Sequence, residues 1–237
     1  MSEKAQKAKL LSIISILAGI YVVTAMLPFP TVFVGGSGNM NMGLIGSVLV
    51  GAVGYSIFPR IVHTKSEELT AIISVGVISG IISSFISPFN FAGFFYIFIP
   101  LAGITATYLS LRGGFDILIP LIWISTVMAF MWFSYQLYLI NIPHIIAIVA
   151  GLALIAITRI KTQNKKLMFI QVPLAIVVGT IAEWCVLNLF ATVVLALPRD
   201  LWFVIMPLVF IERSTAIIFG TLFSIPAMKA LENLSFE

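Results

Sequence analysis

Long apolar runs alternate with short polar or proline-marked breaks along the whole chain. Eight runs stand out, at Leu10–Leu27, Met40–Phe58, Leu69–Ile86, Phe91–Leu111, Phe115–Tyr135, Pro143–Thr158, Phe169–Leu197 and Leu201–Pro226. Each is near the ~20 residues that a helix needs to cross ~30 Å of hydrocarbon. The pattern therefore predicts an all-α, polytopic membrane protein of eight transmembrane helices, forming one integral domain over residues 1–237. Pro28 and Pro30 stop the first helix, Pro59 and Arg60 the second, and Ser87 and Pro88 the third. Proline ends these runs because it lacks the N–H that a helix interior requires. Between the first two helices, Phe29–Asn39 reads as an extended and then glycine-rich loop. Val23-Thr24-Ala25 resembles a small-residue cleavage site, yet the hydrophobicity continues throughout, so a retained first helix is expected.

Composition sharpens this reading. The 237 residues are 60% hydrophobic and 9% charged, with a mean hydropathy of +1.14. Soluble domains carry about 25% charged residues, so this chain cannot cover a water-facing surface, and its solvent is the lipid bilayer. The net charge of +4 is then no nucleic-acid signal. Of the 13 basic residues, all but Arg199 and Arg213 fall on segments that are cytoplasmic if the N-terminus is cytoplasmic. That bias follows the positive-inside rule and predicts both termini inside, in the cell membrane. The single cysteine, Cys185, rules out an intrachain disulfide.

Small residues recur every three or four positions on several helices. Such stripes are Gly43, Ser47, Gly51; Gly76, Gly80, Ser84; Ala102, Ala106, Ser110; and Ala216, Gly220, Ser224. The first helix has Ser12, Ser15 and Gly19. Residues four apart share a helix face, and small side chains let two backbones approach in lipid. These stripes predict helix packing within the chain. An exposed stripe predicts a partner membrane subunit, and the first helix is the better candidate.

Three ionisable side chains fall at bilayer depth: Glu183 in the seventh span, and Glu212 and Arg213 in the eighth. Glu183 lies 14 residues before Leu197, and Arg213 lies 12 residues after Leu201. On antiparallel neighbours this is a depth difference of about 3 Å, which predicts a Glu183–Arg213 pair with Glu212 left over. Each charge alone costs about 2.5–3.5 kcal/mol to insert. A register-fixing ion pair and a polar binding site or proton relay both remain open. Thr180, Trp184, Leu187 and Asn188 share one side of the seventh helix, and Tyr21 and Thr24 lie in the outer half of the first. The candidate solute site is therefore Tyr21, Glu183, Trp184, Asn188, Glu212 and Arg213, between helices one, seven and eight.

Signals for catalysis are missing. His63 and His144 fall at opposite faces, no cluster has metal-ligand spacing, and no phosphate loop or dinucleotide fingerprint occurs. No cofactor is expected, and an enzyme on lipids would have only Asp116 and Asp200 as interfacial acids. The stretch PLVFIERSTAIIFGTLFSIPAMKAL, Pro207–Leu231, resembles the final helix of the substrate-binding S-components of energy-coupling-factor (vitamin-type) importers. The basic N-terminal segment, small-residue first helix, loop and glycine-rich second helix are similar in style. Such components usually have six helices, against eight here, and their alanine-based motif in helix one is represented only by Ser15 and Gly19. The resemblance implies a transport subunit that captures a small solute from outside, with Phe29–Asn39 as a lid. The alternative is an accessory subunit without a small ligand.

Overall fold

A computed structural model describes residues 3–33, 36–86, 93–136, 138–159 and 167–233. All eight expected helices form. They are α1 (Glu3–Met26), α2 (Gly43–Ile57), α3 (Lys65–Ile86), α4 (Phe98–Arg112), α5 (Leu118–Tyr135), α6 (Ile142–Arg159), α7 (Met168–Leu189) and α8 (Arg199–Glu232). Seven of the described helical segments are long and apolar enough to cross a membrane, and the α5 segment is a shorter apolar helix. The expected turn at 87–90 and the basic loop at 160–166 lie outside the described residues.

Three boundaries differ from expectation. The polar N-terminal segment is the first two turns of α1 rather than a separate tail; its alanines, lysines and glutamine are all good helix formers. The segment after α1 is not an irregular loop. Strands β1 (Pro28–Phe33) and β2 (Gly36–Asn41) pair antiparallel, from Pro28 opposite Asn41 to Phe33 opposite Gly36. Pro28 and Pro30 are two apart, so their missing N–H groups fall on one edge of β1, the edge that need not donate to β2. Finally, α8 does not stop at Pro226 but runs on to Glu232. Arg60 donates to the carbonyl of Leu231 at 2.7 Å, satisfying one of the bare carbonyls of that last turn.

The bundle is organised around α2, α4 and α7, whose membrane-length segments are the most buried of the set. α4 lies between α2 and α7, α3 and α1 close the α2 side, and α5, α6 and α8 surround α7. Small residues make the central approach possible. A Cβ on Gly51 of α2 would stand 2.6 Å from the Ile104 carbonyl of α4. A Cβ on Gly80 of α3 would stand 2.6 Å from the Cα of Ile97, just before α4. On α4 the tight positions are Gly103 and Thr107, one residue on from the expected Ala102–Ala106–Ser110 stripe. Gly103 meets Ser47 and Glu183, and Thr107 fills the space beside Gly51 and Gly179. Ala102 instead lines a cleft of about 460 Å³ between α4, α5 and α7. The stripes on α2 and α8 and the Gly76 and Gly80 positions of α3 are packed inside the bundle, Ser84 is half-buried, and Ser12, Ser15 and Gly19 on α1 are exposed.

Candidate functional site

α7 carries polar chemistry on two faces. On the face toward α2 and α4, Glu183 is only 3% exposed, and its Oε2 lies 2.5 Å from the hydroxyl of Ser47. Ser47 stands on the small-residue face of α2, and Gly103 of α4 has no side chain to displace the carboxyl. Tyr21 of α1 extends the region: it is buried and hydrogen-bonded to Tyr96, in the helical turn before α4.

Arg213 reaches α7 from α8. One guanidinium nitrogen donates to the Thr180 carbonyl at 3.2 Å, and another lies 3.8 Å from Glu212. Its Nε is buried with no partner among the described residues. The expected Glu183–Arg213 pair therefore does not form. Arg213 takes the sequence-adjacent carboxylate, and Glu183 takes a hydroxyl. Matched depth set the height of the two groups correctly but not their direction around the helices. Glu212, expected to be left over, is the residue Arg213 engages, and it is the most exposed of the three.

On the face toward α6, the residues gather around His144. Its Nδ1 lies 3.0 Å from the Ile140 carbonyl, which can only accept, so Nδ1 carries the proton. Nε2 is then free to accept from the amide nitrogen of Asn188 at 3.4 Å. The imidazole lies 5.0 Å from the Trp184 ring, tilted by 30°. Four polar atoms on the elements around this group are buried without a partner among the described residues: both amide atoms of Asn141, Oδ1 of Asn188, and the indole nitrogen of Trp202. Asn141 ends the turn before α6, three residues ahead of His144, and Trp202, in the first turns of α8, packs in the same apolar cluster as Ile140 and Trp184. Buried polar atoms are normally satisfied by protein or water, so donors and acceptors left open at one place are a demand for a polar guest.

The six sequence candidates are thus divided. Trp184 and Asn188 share the His144 group, Glu183 and Tyr21 belong to the α2–α4 side, and Glu212 and Arg213 stand between α7 and α8. α1 packs on α2 and α3, with no extensive contact to α7 or α8, so the expected junction of helices one, seven and eight is not formed. None of the six lines the 460 Å³ cleft, which is lined by apolar side chains such as Phe95, Phe98 and Trp123. Arg213 lines a small void of about 70 Å³ with Pro143 and Ser214.

Ser47, Asn141, His144 and Trp202 were not foreseen as site residues. Ser47 was hidden inside a small-residue stripe. Asn141 and His144 lay at the ragged break between α5 and α6, although their depth matches that of Asn188. Among the described residues, no three His, Cys, Asp or Glu side chains gather as metal ligands. Compared with known proteins, the chain matches no family model, no curated protein and no solved structure.

Proposed function

We propose that this chain is a multi-pass protein of the cell membrane with both termini cytoplasmic, acting as the substrate-binding or transport subunit of an importer for a small, vitamin-like solute. The observation that carries the reading is the set of buried hydrogen-bonding atoms of Asn141, Asn188 and Trp202, unpartnered among the described residues, on the side of α7 where the Trp184 and His144 rings meet. Two donors and two acceptors next to aromatic faces suit a neutral, planar heterocycle. The group lies at the end of the bundle where α6 and α8 begin, the same end as the β1–β2 hairpin, which supports access from outside under the positive-inside orientation. The resemblance to energy-coupling-factor S-components points the same way.

The test is thermal unfolding of the purified protein against a panel of nitrogen heterocycles. A stabilising compound is expected for the native chain, with the effect lost in Asn188→Leu and kept in Gly19→Leu. A panel with no stabilising member, or stabilisation that survives Asn188→Leu, would overturn the site.

A second reading, an accessory subunit of a larger membrane complex, is favoured by one observation. The stripe of Ser12, Ser15 and Gly19 faces outward on α1, and a Cβ on Gly19 would meet nothing within 4 Å. Retention of a membrane partner in gentle detergent, lost on Gly19→Leu, would support it.

A further inference from the structure

The hydrogen bonds around Glu183 do not balance with an ionised carboxylate. The Ser47 hydroxyl lies 3.0 Å from the Leu44 carbonyl as well as 2.5 Å from Glu183 Oε2. A serine has one proton to give. If it goes to Leu44, whose carbonyl can only accept, then the proton between Ser47 and Glu183 must belong to Glu183. The chain then reads Glu183 O–H to Ser47 Oγ–H to Leu44 C=O, with every contact satisfied. If Glu183 is ionised, Ser47 must turn to it, and one hydroxyl is the only hydrogen-bond donor it meets among the described residues. No Lys, Arg or His lies within salt-bridge distance of Glu183 among the described residues. A charge held so deep by a single neutral donor carries most of its desolvation cost.

The elements packed against α7 present few groups that would change this balance. α2 presents Ser47, and its titratable Tyr55 lies at the opposite end of the helix, near Arg60. α4 presents Gly103, while its Tyr108 and Arg112 are engaged by Glu68 at the basic end. α5 presents Trp123, whose indole donates to Ala182 at 3.0 Å. α6 presents His144, committed to Ile140 and Asn188 on the other face of α7. Tyr21 and Tyr96 hold each other nearby, and Cys185 is buried on α7 itself. α8 presents Glu212 and Arg213, and Arg213 is the only cation facing this region among the described residues. It keeps a buried Nε without a partner while it holds Glu212 at 3.8 Å and Thr180 at 3.2 Å.

We propose that Glu183 is a proton-binding site, occupied in this structure as a neutral acid bonded to Ser47, and that loss of the proton draws Arg213 away from Glu212 toward Glu183. In that step the O–H bond of the acid breaks, its electron pair stays on the carboxylate, and the proton passes to water. Ser47 then donates to the carboxylate, and Arg213 exchanges a partner that is 25% exposed for a buried one. α8 shifts or rotates against α7 as it does so, and this couples proton occupancy to the packing of the helix that also carries Trp202. The site is independent of the identity of any solute, because it needs only the chain itself.

The test is infrared difference spectroscopy of the full chain in lipid vesicles, between near-neutral buffer, where exposed carboxyl groups are already ionised, and alkaline buffer. A carboxylic-acid carbonyl band is expected at near-neutral pH and lost at alkaline pH. It is absent in Glu183→Gln and kept in Glu212→Gln. In Ser47→Ala the band shifts, because the acid has lost its acceptor; this arm stands even if Glu183→Gln fails to fold. In Arg213→Gln the band persists into alkaline buffer, because the carboxylate has no cation to meet. A native chain without the band, a band unmoved by Ser47→Ala, or a band surviving Glu183→Gln would overturn the proton site. Loss of the band in Arg213→Gln as in the native chain would overturn the exchange of Arg213.

Discussion

The two faces of α7 solve opposite problems with the same helix. Toward α2 and α4, glycines and hydroxyls draw three backbones together and close a carboxyl in with one partner. Toward α6 and α8, larger rings and amides leave four buried polar atoms with no partner among the described residues. In lipid no water is at hand to satisfy either face, so an unfilled hydrogen bond is a standing cost. The closed face spends its polar groups on helix association and on Glu183, and leaves the Thr107 hydroxyl as an isolated group without a partner among the described residues. The open face keeps donors and acceptors in reserve, and reserve of that kind is what a binding site needs. The difference teaches that polarity at bilayer depth has to be sorted by whether it is satisfied.

The largest effect is expected where the closed face has no room. Gly179 of α7 sits against Thr107 and the Gly103 carbonyl, the latter 3.0 Å from where a Cβ would stand. Gly179→Leu drives α7 away from α4 and should destabilise the fold by about 3 kcal/mol or more, measured by reversible unfolding in mixed micelles. Gly19→Leu, with empty space around it, should stay within about 0.5 kcal/mol. Equal costs at the two glycines would mean that the α4–α7 contact is not the tight one.

A smaller cost is expected from Ser47→Ala. It removes the partner of Glu183 while leaving the packing nearly unchanged, and an orphaned buried group costs about 1–3 kcal/mol. The same unfolding measurement checks it, and Ser47→Ala in a Glu183→Leu background should cost much less, since nothing is left unpaired. A full cost in that background would assign the role of Ser47 to packing alone.

Much of this contrast was out of reach of the sequence, for a physical reason. Hydrophobic run lengths gave all eight helices because a membrane span is set by thickness alone. Which way a side chain points is set by helix rotation, and one step of about 100° separates neighbouring residues. The run at Leu101–Ser110 shows the consequence: Ala102, Ala106 and Ser110 read as the packing face, yet Gly103 and Thr107 hold it. Depth placed Glu183 opposite Arg213, but rotation sent them to different partners. The hairpin was missed because Phe29–Asn39 has prolines in one strand and glycines in the other, both poor strand formers, and only their mutual register brings them together. Trp184 and Asn188 were found together because spacings of three and four survive any rotation. His144 carries no such local signal, since its partner is 44 positions away.

The smallest effect is the most telling for the open face. Asn141 is 2% exposed, and neither amide atom has a partner. A residue kept for stability would not be left so, because replacing an unsatisfied polar group by an apolar one of similar shape is neutral or favourable. Asn141→Leu should therefore leave the ligand-free protein unchanged or raise its unfolding free energy by about 1 kcal/mol. The same variant should lose the solute-induced thermal stabilisation, since two of the four open contacts go with the amide. That combination, a firmer fold with weaker binding, is the signature of a site held open at a cost to the scaffold. A drop of about 2 kcal/mol in the ligand-free protein would instead mean that Asn141 is satisfied by ordered water, and the open face would then be as closed as the one that holds Glu183.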